Sequence, residues 1–317
     1  MGGYSSEVEI SLKSGNVVYK HLSKEKYNVF KVHILKNKWV LVDDNQNEYL
    51  INKQDFSTEI TGEKINFDCV FNAIHGTPGE DGKILAYFDL IGLKHTSAPF
   101  YQMALTFNKR DTLSVVKQYG IPAATSVYLN QGDEVNEDEI IKKVGLPCFV
   151  KPNNAGSSFG ISKVHTKAAL IPALNVAYVE DSEILIESFL NGTEVSVGVI
   201  QYKGETKVLP ITEIVSENDF FDYEAKYEGK SQEITPARLS KKQEESVTKV
   251  AKQVYEILNM SGFSRSEYIF VNNVPHFLEM NTVPGLTEAS ILPQQANYAG
   301  ITLTELFDNA IQMALNN

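Results

Sequence analysis

Cysteine is scarce in this chain: among 317 residues only Cys69 and Cys148 occur, each inside an apolar run, as buried thiols of a reducing compartment would sit. No CxxC pair and no GxSxG elbow is present, which removes thioredoxin-like and serine-hydrolase readings. No apolar stretch approaches a membrane span, and no basic segment leads into an apolar one at the start, so neither a spanning helix nor a signal peptide is expected. Basic residues are in deficit. Lys+Arg 29 against Asp+Glu 40 gives a formal charge of -11, which argues against broad binding to nucleic acid or anionic membrane. The six histidines lack metal-ligand spacing, and the chain has no GxxxxGK[ST] loop, no internal repeat and no low-complexity segment. These absences predict a cytoplasmic protein whose phosphate ligands, if any, meet a local concentration of Lys, Arg and backbone N–H groups.

With 43% hydrophobic and 22% charged residues the chain is globular, and its length exceeds one comfortable core. Short β-rich runs alternate with turns from 28 to 93 (Val29 to Leu35, Trp39 to Asp43, Cys69 to Ala73), and an amphipathic Ile84 to Ile91 follows, predicting an α/β unit with parallel central strands. A helix over 105–119, another over Glu137–Val144, and a strand, turn, strand, helix, strand series over 148–190 come next. The last third offers strands over Glu194–Ile200 and Lys207–Ile214, an irregular polar stretch over 216–236, a helix over 240–260, a hairpin, and a terminal helix over 302–315. Three domains are expected: 1–97, 98–187 and 188–317.

The hairpin carries the most chemistry. Arg265 and Glu267 lie two apart on one apolar run, Glu279 and Asn281 two apart on the next, so each pair shares a strand face. Glu267 and Glu279 face the same way only if the loop gives an odd register, about three or five residues long. In that case three oxygen donors and one guanidinium converge, a hard-cation site beside a phosphate partner. Otherwise the hairpin simply has a polar outer face.

Other segments are weaker alone. Lys151 ends a strand and precedes a loop from Gly156 through Ser157 and Ser158 to Gly160, which could offer a charge and N–H donors to polyphosphate or be an ordinary turn. Ile184-Leu185-Ile186 ends in Glu187, and Glu194 follows across a turn; such acids either face solvent or accept from a ribose. The stretch from Asp219 to Gly229 lacks any period and reads as a lid, with Lys226 and Tyr227 its main contacts, or as a solvated loop. His75 closes a run before three glycines, where a turn role and a ligand role are equally open. At the start, Gly2-Gly3-Tyr4-Ser5-Ser6-Glu7 reads as a strand-to-helix junction capped by Ser6, although no strand precedes it. Either the N-terminal sheet lacks its first strand or the chain begins late; the bland alternative is a terminus without a role.

Taken together, these motifs resemble the ATP-grasp ligases and, within them, the D-alanine:D-alanine ligase family, over essentially the whole chain. The resemblance is carried by Gly2 to Glu7, His75-Gly76 through Glu80-Asp81-Gly82, Asn108-Lys109-Arg110, Lys151 to Gly160, Glu187 with Glu194, Asp222 to Tyr227, Arg265, and Glu279-Met280-Asn281 to Gly285. It implies a three-domain α/β ATP-grasp fold, ATP between the central and C-terminal domains, and two magnesium (or manganese) ions. Lys109 and Lys151 would contact the phosphates, with Ser158 in the closing loop, Lys226 on the terminal phosphoryl group, Glu194 on the ribose and Glu187 on the adenine side. Glu267, Glu279 and Asn281 would hold the metals. Glu7, Ser157 and Tyr227 would position the first D-alanine; Arg265 and the backbone at Gly285 would stabilise negative charge; Ser290 would bind the second D-alanine's carboxylate. A homodimer taking two D-alanines, and no nucleic acid or membrane, completes the expectation.

Three departures stand out. The opening strand is absent before Gly2, Glu267 stands where Asp is frequent, and Asn154 where arginine is frequent. Alternatives are a D-alanine:D-lactate or other amino-acid ligase, against which Tyr227 speaks, and a nucleotide-binding regulator without turnover.

Overall fold

The computed structural model describes residues 1–154, 156, 159–216 and 231–316. The first part holds β1 (Gly2–Gly3), α1 (Val8–His21), β2 (Lys31–Leu35), β3 (Trp39–Val42), β4 (Glu48–Leu50), β5 (Thr58–Ile60), β6 (Glu63–Ile65), β7 (Cys69–Val70), α2 (Lys83–Leu90) and β8 (Lys94–His95). The parallel expectation is corrected here. Only β1 on β2 and β7 on β8 are parallel, while β2, β3 and β4 form an antiparallel meander. Three residues join β2 to β3 and five join β3 to β4, far short of a parallel crossover.

The opening is corrected too. Gly2 and Gly3 themselves form a strand stub beside Ile34 and Leu35, and the Met1 amine donates to the Val32 carbonyl at 3.0 Å. Ser6 does not cap α1. The N-cap position is Glu7, and the Ser5 hydroxyl accepts from the Glu7 N–H while donating to the His75 carbonyl. The run containing His75 continues past β7 with no ladder partner of its own.

The middle part comprises α3 (Phe100–Phe107), α4 (Lys109–Gln118), β9 (Ser126–Asn130), α5 (Glu137–Val144), β10 (Cys148–Pro152), β11 (Ser162–Val164), α6 (Leu170–Glu180) and β12 (Glu183–Ser188), with an antiparallel sheet in the order β11-β10-β12-β9. The helix predicted over 105–119 is two helices. Asn108 breaks it by turning to extended backbone, where its side chain accepts from the Asp111 N–H and starts α4 afresh. That break puts Lys109 in the first turn of α4.

The last part has β13 (Thr193–Tyr202), β14 (Glu205–Val208), β15 (Thr212–Ser216), β16 (Ser231–Ile234), α7 (Lys241–Ile257), β17 (Phe263–Val271), β18 (Val274–Asn281), α8 (Ile291–Tyr298) and α9 (Leu303–Asn316). Its sheet runs β16-β15-β13-β17-β18, with β14 also on β13. The strand predicted over 207–214 is interrupted at Pro210, which has no N–H for a ladder. One face of this sheet is apolar: Val195, Val197, Tyr268 and Phe277 share a buried cluster with Val247, Ala251, Val254 and Tyr255 of α7. Full burial of each such side chain contributes about 1.5–3 kcal/mol.

The opposite face is polar, and α8 covers part of it through one side chain. Gln295 is fully buried, accepts from the Gly198 N–H at 3.1 Å, and donates to the Ser196 carbonyl and the Thr212 hydroxyl. A Cβ at Gly198 would lie 2.5 Å from Gln295 Oε1 and 2.9 Å from Leu292 Cδ1. Gly198→Ala should therefore push α8 off the sheet and cost about 1–3 kcal/mol. A thermal midpoint equal to wild type would show that α8 does not rest on this contact.

Candidate active site

The acidic hairpin turns in two residues, Asn272-Asn273, both with positive φ, as a tight hairpin twisted like its strands requires. An even loop alone would leave Glu267 and Glu279 on opposite faces. The ladder shifts between Tyr268 opposite Phe277 and Glu267 opposite Glu279, so Leu278 is an extra residue in β18. The odd count comes from this bulge and not from a loop of three or five residues, which corrects the expectation while delivering its consequence. Arg265 pairs with Asn281 one step further, so all four side chains share the polar face with Glu194 and Ser196 of β13.

Contacts on that face are close. Arg265 donates to the Ser196 hydroxyl at 3.1 Å and is ion-paired with Glu267. The Asn281 side-chain oxygen accepts from the Val283 N–H at 3.0 Å. Across the gap, Lys109 Nζ lies 3.5 Å from Glu279 Oε2. Lys109 is aimed by Asn153, a fully buried residue whose carbonyl accepts from the Lys109 N–H and whose side chain accepts from the Arg110 N–H.

Lys151 and Glu187 form a second charged pair on the middle sheet, 2.8 Å apart. Burial lowers the pKa of the Lys151 ammonium, but Glu187, Glu279 and Glu194 outweigh it, so the net shift is upward and the charge is retained. Glu187 Oε1 is buried with no hydrogen-bond partner among the described residues. Such an atom is an acceptor awaiting a donor, as a nucleotide base edge provides.

A cleft of about 310 Å³ opens beside Lys109 and the hairpin, lined by Glu7, His75, Glu80, Lys109, Gly156, Glu233, Arg265, Glu279, Asn281, Gly285 and Ser290 among others. Glycines admit close approach here. A Cβ at Gly156 would sit 2.9 Å from a Glu7 carboxylate oxygen, and one at Gly285 would sit 2.7 Å from the Ser290 hydroxyl. Ser290 is the N-cap residue of α8, its hydroxyl 2.7 Å from that of Thr287. Ser157, Ser158, Lys226 and Tyr227 lie outside the described residues. Among the described residues no three His, Cys, Asp or Glu side chains gather as a metal centre; Glu267 and Glu279 supply two carboxylates and Asn281 an amide oxygen.

Family models match nearly the whole chain: "D-ala D-ala ligase N-terminus" over residues 1–98 and "D-ala D-ala ligase C-terminus" over 115–312. The chain belongs to the D-alanine–D-alanine ligase family. It is 68% identical to a D-alanine–D-alanine ligase of Flavobacterium johnsoniae over 99% of this chain and 98% of that protein. It is 58% identical to one of Christiangramia forsetii over 100% and 97%. Among solved structures, D-alanyl-alanine synthetase A of Vibrio cholerae aligns with TM-score 0.88 and 26% identity, covering 100% of this chain and 97% of that one. The VanG D-Ala:D-Ser ligase of Enterococcus faecalis aligns with TM-score 0.86 and 29% identity over 99% and 97%. A Bacillus anthracis D-alanine–D-alanine ligase complexed with ATP aligns with TM-score 0.79 and 27% identity over 100% and 95%. The fold is thus that of the ATP-grasp ligases, as expected.

Sequence reasoning gave no role to two acids of this ligase's cleft, Glu80 and Glu233. Glu80 is buried and its carboxylate accepts from the Gly76 N–H at 3.0 Å. Burial first, and then the negative charge of Glu7, push its pKa up to about 7. Its place among the glycines Gly76, Gly79 and Gly82 was the one available signal. His75 is neutral, held down to about 4 by burial and then by Arg265. The folded-state pKa of Glu80 exceeds its unfolded value, so stability falls as pH rises between about 4.5 and 7. Glu80→Gln should remove that slope and gain on the order of 3 kcal/mol at most above pH 7. Parallel melting curves for wild type and variant from pH 5 to 8 would contradict this.

Proposed function

We infer that the chain carries out the reaction of its family, the ATP-driven joining of two D-alanines into D-alanyl-D-alanine for peptidoglycan synthesis. The observation that carries this reading is the pairing of Glu267 with Glu279 on one sheet face, opposite the two lysines Lys109 and Lys151. A carboxylate is a poor electrophile, and transfer of a phosphoryl group from ATP to the first D-alanine makes an acyl phosphate with a good leaving group. The amine of the second D-alanine then attacks the carbonyl carbon, the C–N bond forms, and phosphate departs.

The residues divide the work. Lys109 and Lys151 hold the triphosphate, Glu187 takes the adenine side through its open oxygen, and Glu194 takes the ribose. Glu267, Glu279 and Asn281 suit one or two magnesium or manganese ions, because hard cations take oxygen donors. Bound there, the metal would neutralise phosphate charge during the transfer. Glu7 orients the first D-alanine from the helix junction beside Gly156. Arg265 and the backbone near Gly285 stabilise the oxyanion of the tetrahedral intermediate, and Ser290 binds the acceptor carboxylate. Ser157, Ser158, Lys226 and Tyr227 are proposed to close over the phosphates and the first D-alanine, excluding water that would hydrolyse the acyl phosphate. Three domains (1–97, 98–187, 188–317), a cytoplasmic location and a homodimer accompany this reading.

Glu279→Gln should lower kcat/KM by roughly 2 to 4 kcal/mol, as the removal of one preorganised electrostatic group does. Coupled measurement of ADP release with D-alanine, D-lactate or no acceptor checks both points. Near-normal turnover in the variant would move the metal site away from the hairpin, and ADP release independent of D-alanine would overturn the reading itself.

A further inference from the structure

Glu233 stands on β16, at the edge of the sheet opposite the acidic hairpin. Register fixes its face. Glu233 is opposite Ile214, Ile214 is opposite Glu194, and Glu194 is opposite Ile269, so Glu233 points to the same side as Glu267 two residues from Ile269. It lines the cleft together with Arg265, Gly285 and Ser290. This half is the acceptor half in the ligase reading above, on which the inference rests.

An amino-acid acceptor enters as a zwitterion, and its two charges need separate partners. Ser290 and the adjoining backbone suit the carboxylate. Among the described residues, the acids lining the cleft are Glu7, Glu80, Glu233 and Glu279. Glu279 faces Lys109 and belongs with the phosphates. Glu80 is buried, with backbone N–H groups of Gly76 and Thr282 on its carboxylate. Glu7 stands against Gly76 and Gly156, at the far end near the first D-alanine. Glu233 remains. Among the described residues its carboxylate makes no hydrogen bond or ion pair, and it is only half-buried and so reachable from the cleft. Burial raises its pKa, and Arg265 only partly offsets this, so an added cation beside it is favoured.

We propose that Glu233 holds the ammonium group of the acceptor D-alanine as it docks, before one of its protons passes to an oxygen of the phosphate that departs and the freed amine attacks the carbonyl carbon, and thereby selects an amine over a hydroxyl nucleophile. A charge-assisted hydrogen bond to a carboxylate is among the stronger polar contacts, and D-lactate, with a neutral hydroxyl, cannot make it. Arg265 stays with Glu267 and the developing oxyanion, so the sheet presents an anion and a cation to the two ends of the forming bond.

Glu233→Gln and Glu233→Asp test this in the full chain, with ADP release measured against D-alanine, and products analysed in mixed D-alanine and D-lactate. The expected result for Gln is a KM for the second D-alanine raised about tenfold or more, with the ATP KM within about threefold of wild type. The depsipeptide-to-dipeptide ratio should rise by a similar factor, and Asp should restore most of the preference. Thermal midpoints confirm that both variants fold. An active wild type with an unchanged acceptor KM and product ratio in Glu233→Gln would overturn this proposal alone; a wild type that releases no ADP in response to D-alanine would overturn the ligase reading and this proposal with it.

Discussion

One added residue in β18 decides what the polar face of the C-terminal sheet can do. Side chains on a strand alternate, so a shift of one residue exchanges every side chain between faces. Below Leu278 the tight Asn272-Asn273 turn keeps Phe277 beside Tyr268, packed edge to face at 5.8 Å and buried under α7. Above Leu278 the shifted register puts Glu279 beside Glu267 and Asn281 beside Arg265. Without the bulge, the same turn and the same core would send Glu279 into the apolar layer. The cost of burying an uncompensated carboxylate there would be several kcal/mol. Core packing and a paired set of carboxylates are thus compatible only because the irregularity falls between them.

Charge on this face is balanced before any ligand arrives. The chain carries a net -11, yet both described lysines beside the cleft already face a carboxylate, Lys109 with Glu279 and Lys151 with Glu187. Such pairs hold buried charges in place at a tolerable desolvation cost. In the ligase reading, phosphates would take over the lysines and a cation the carboxylate, so each charge would exchange one partner for another.

Legibility in the sequence followed the range of the interactions. The hairpin strands, the helix over Glu137–Val144 and the acidic pairs were readable, because period-two and period-3.6 patterns and turn residues act locally, whereas β16 lay inside the stretch expected to be irregular. Asn108 was readable as a motif but not as a helix break, since its cap bond competes with an otherwise continuous helical pattern. The antiparallel meander β2-β3-β4 was missed because β-branched runs look alike in either direction, and only connection length separates them. The bulge at Leu278 has no sequence mark at all, being forced by the need to bury Phe277 and expose Glu279. Glu233 was hidden for the same reason: its face depends on registers passed across β15 and β13 from residues far away in the chain.

The two walls of the cleft are also tied together, through a hydroxyl and a ring. Ser14 of α1 stands 3.0 Å from His75 Nε2 and accepts from the Leu286 N–H, and His75 in turn bonds the Val283 backbone. This arrangement works with a neutral imidazole, one nitrogen donating to the backbone and the other accepting from Ser14. Burial and Arg265 both disfavour the charged ring, so the tautomer needed for the link is also the one the site stabilises. The loop from Thr282 to Ser290 therefore takes its position from α1 and His75 as well as from α8. Gln295 fixes α8 to the middle of β13, and Ser14 with His75 fixes the preceding loop to α1, so Gly285 and Ser290 lie between two anchored ends. The cleft wall at Gly285 and Ser290 is thus set by elements on both sides, and fixed walls of this kind are what a reaction needs when its second nucleophile must arrive at a short-lived electrophile already aligned.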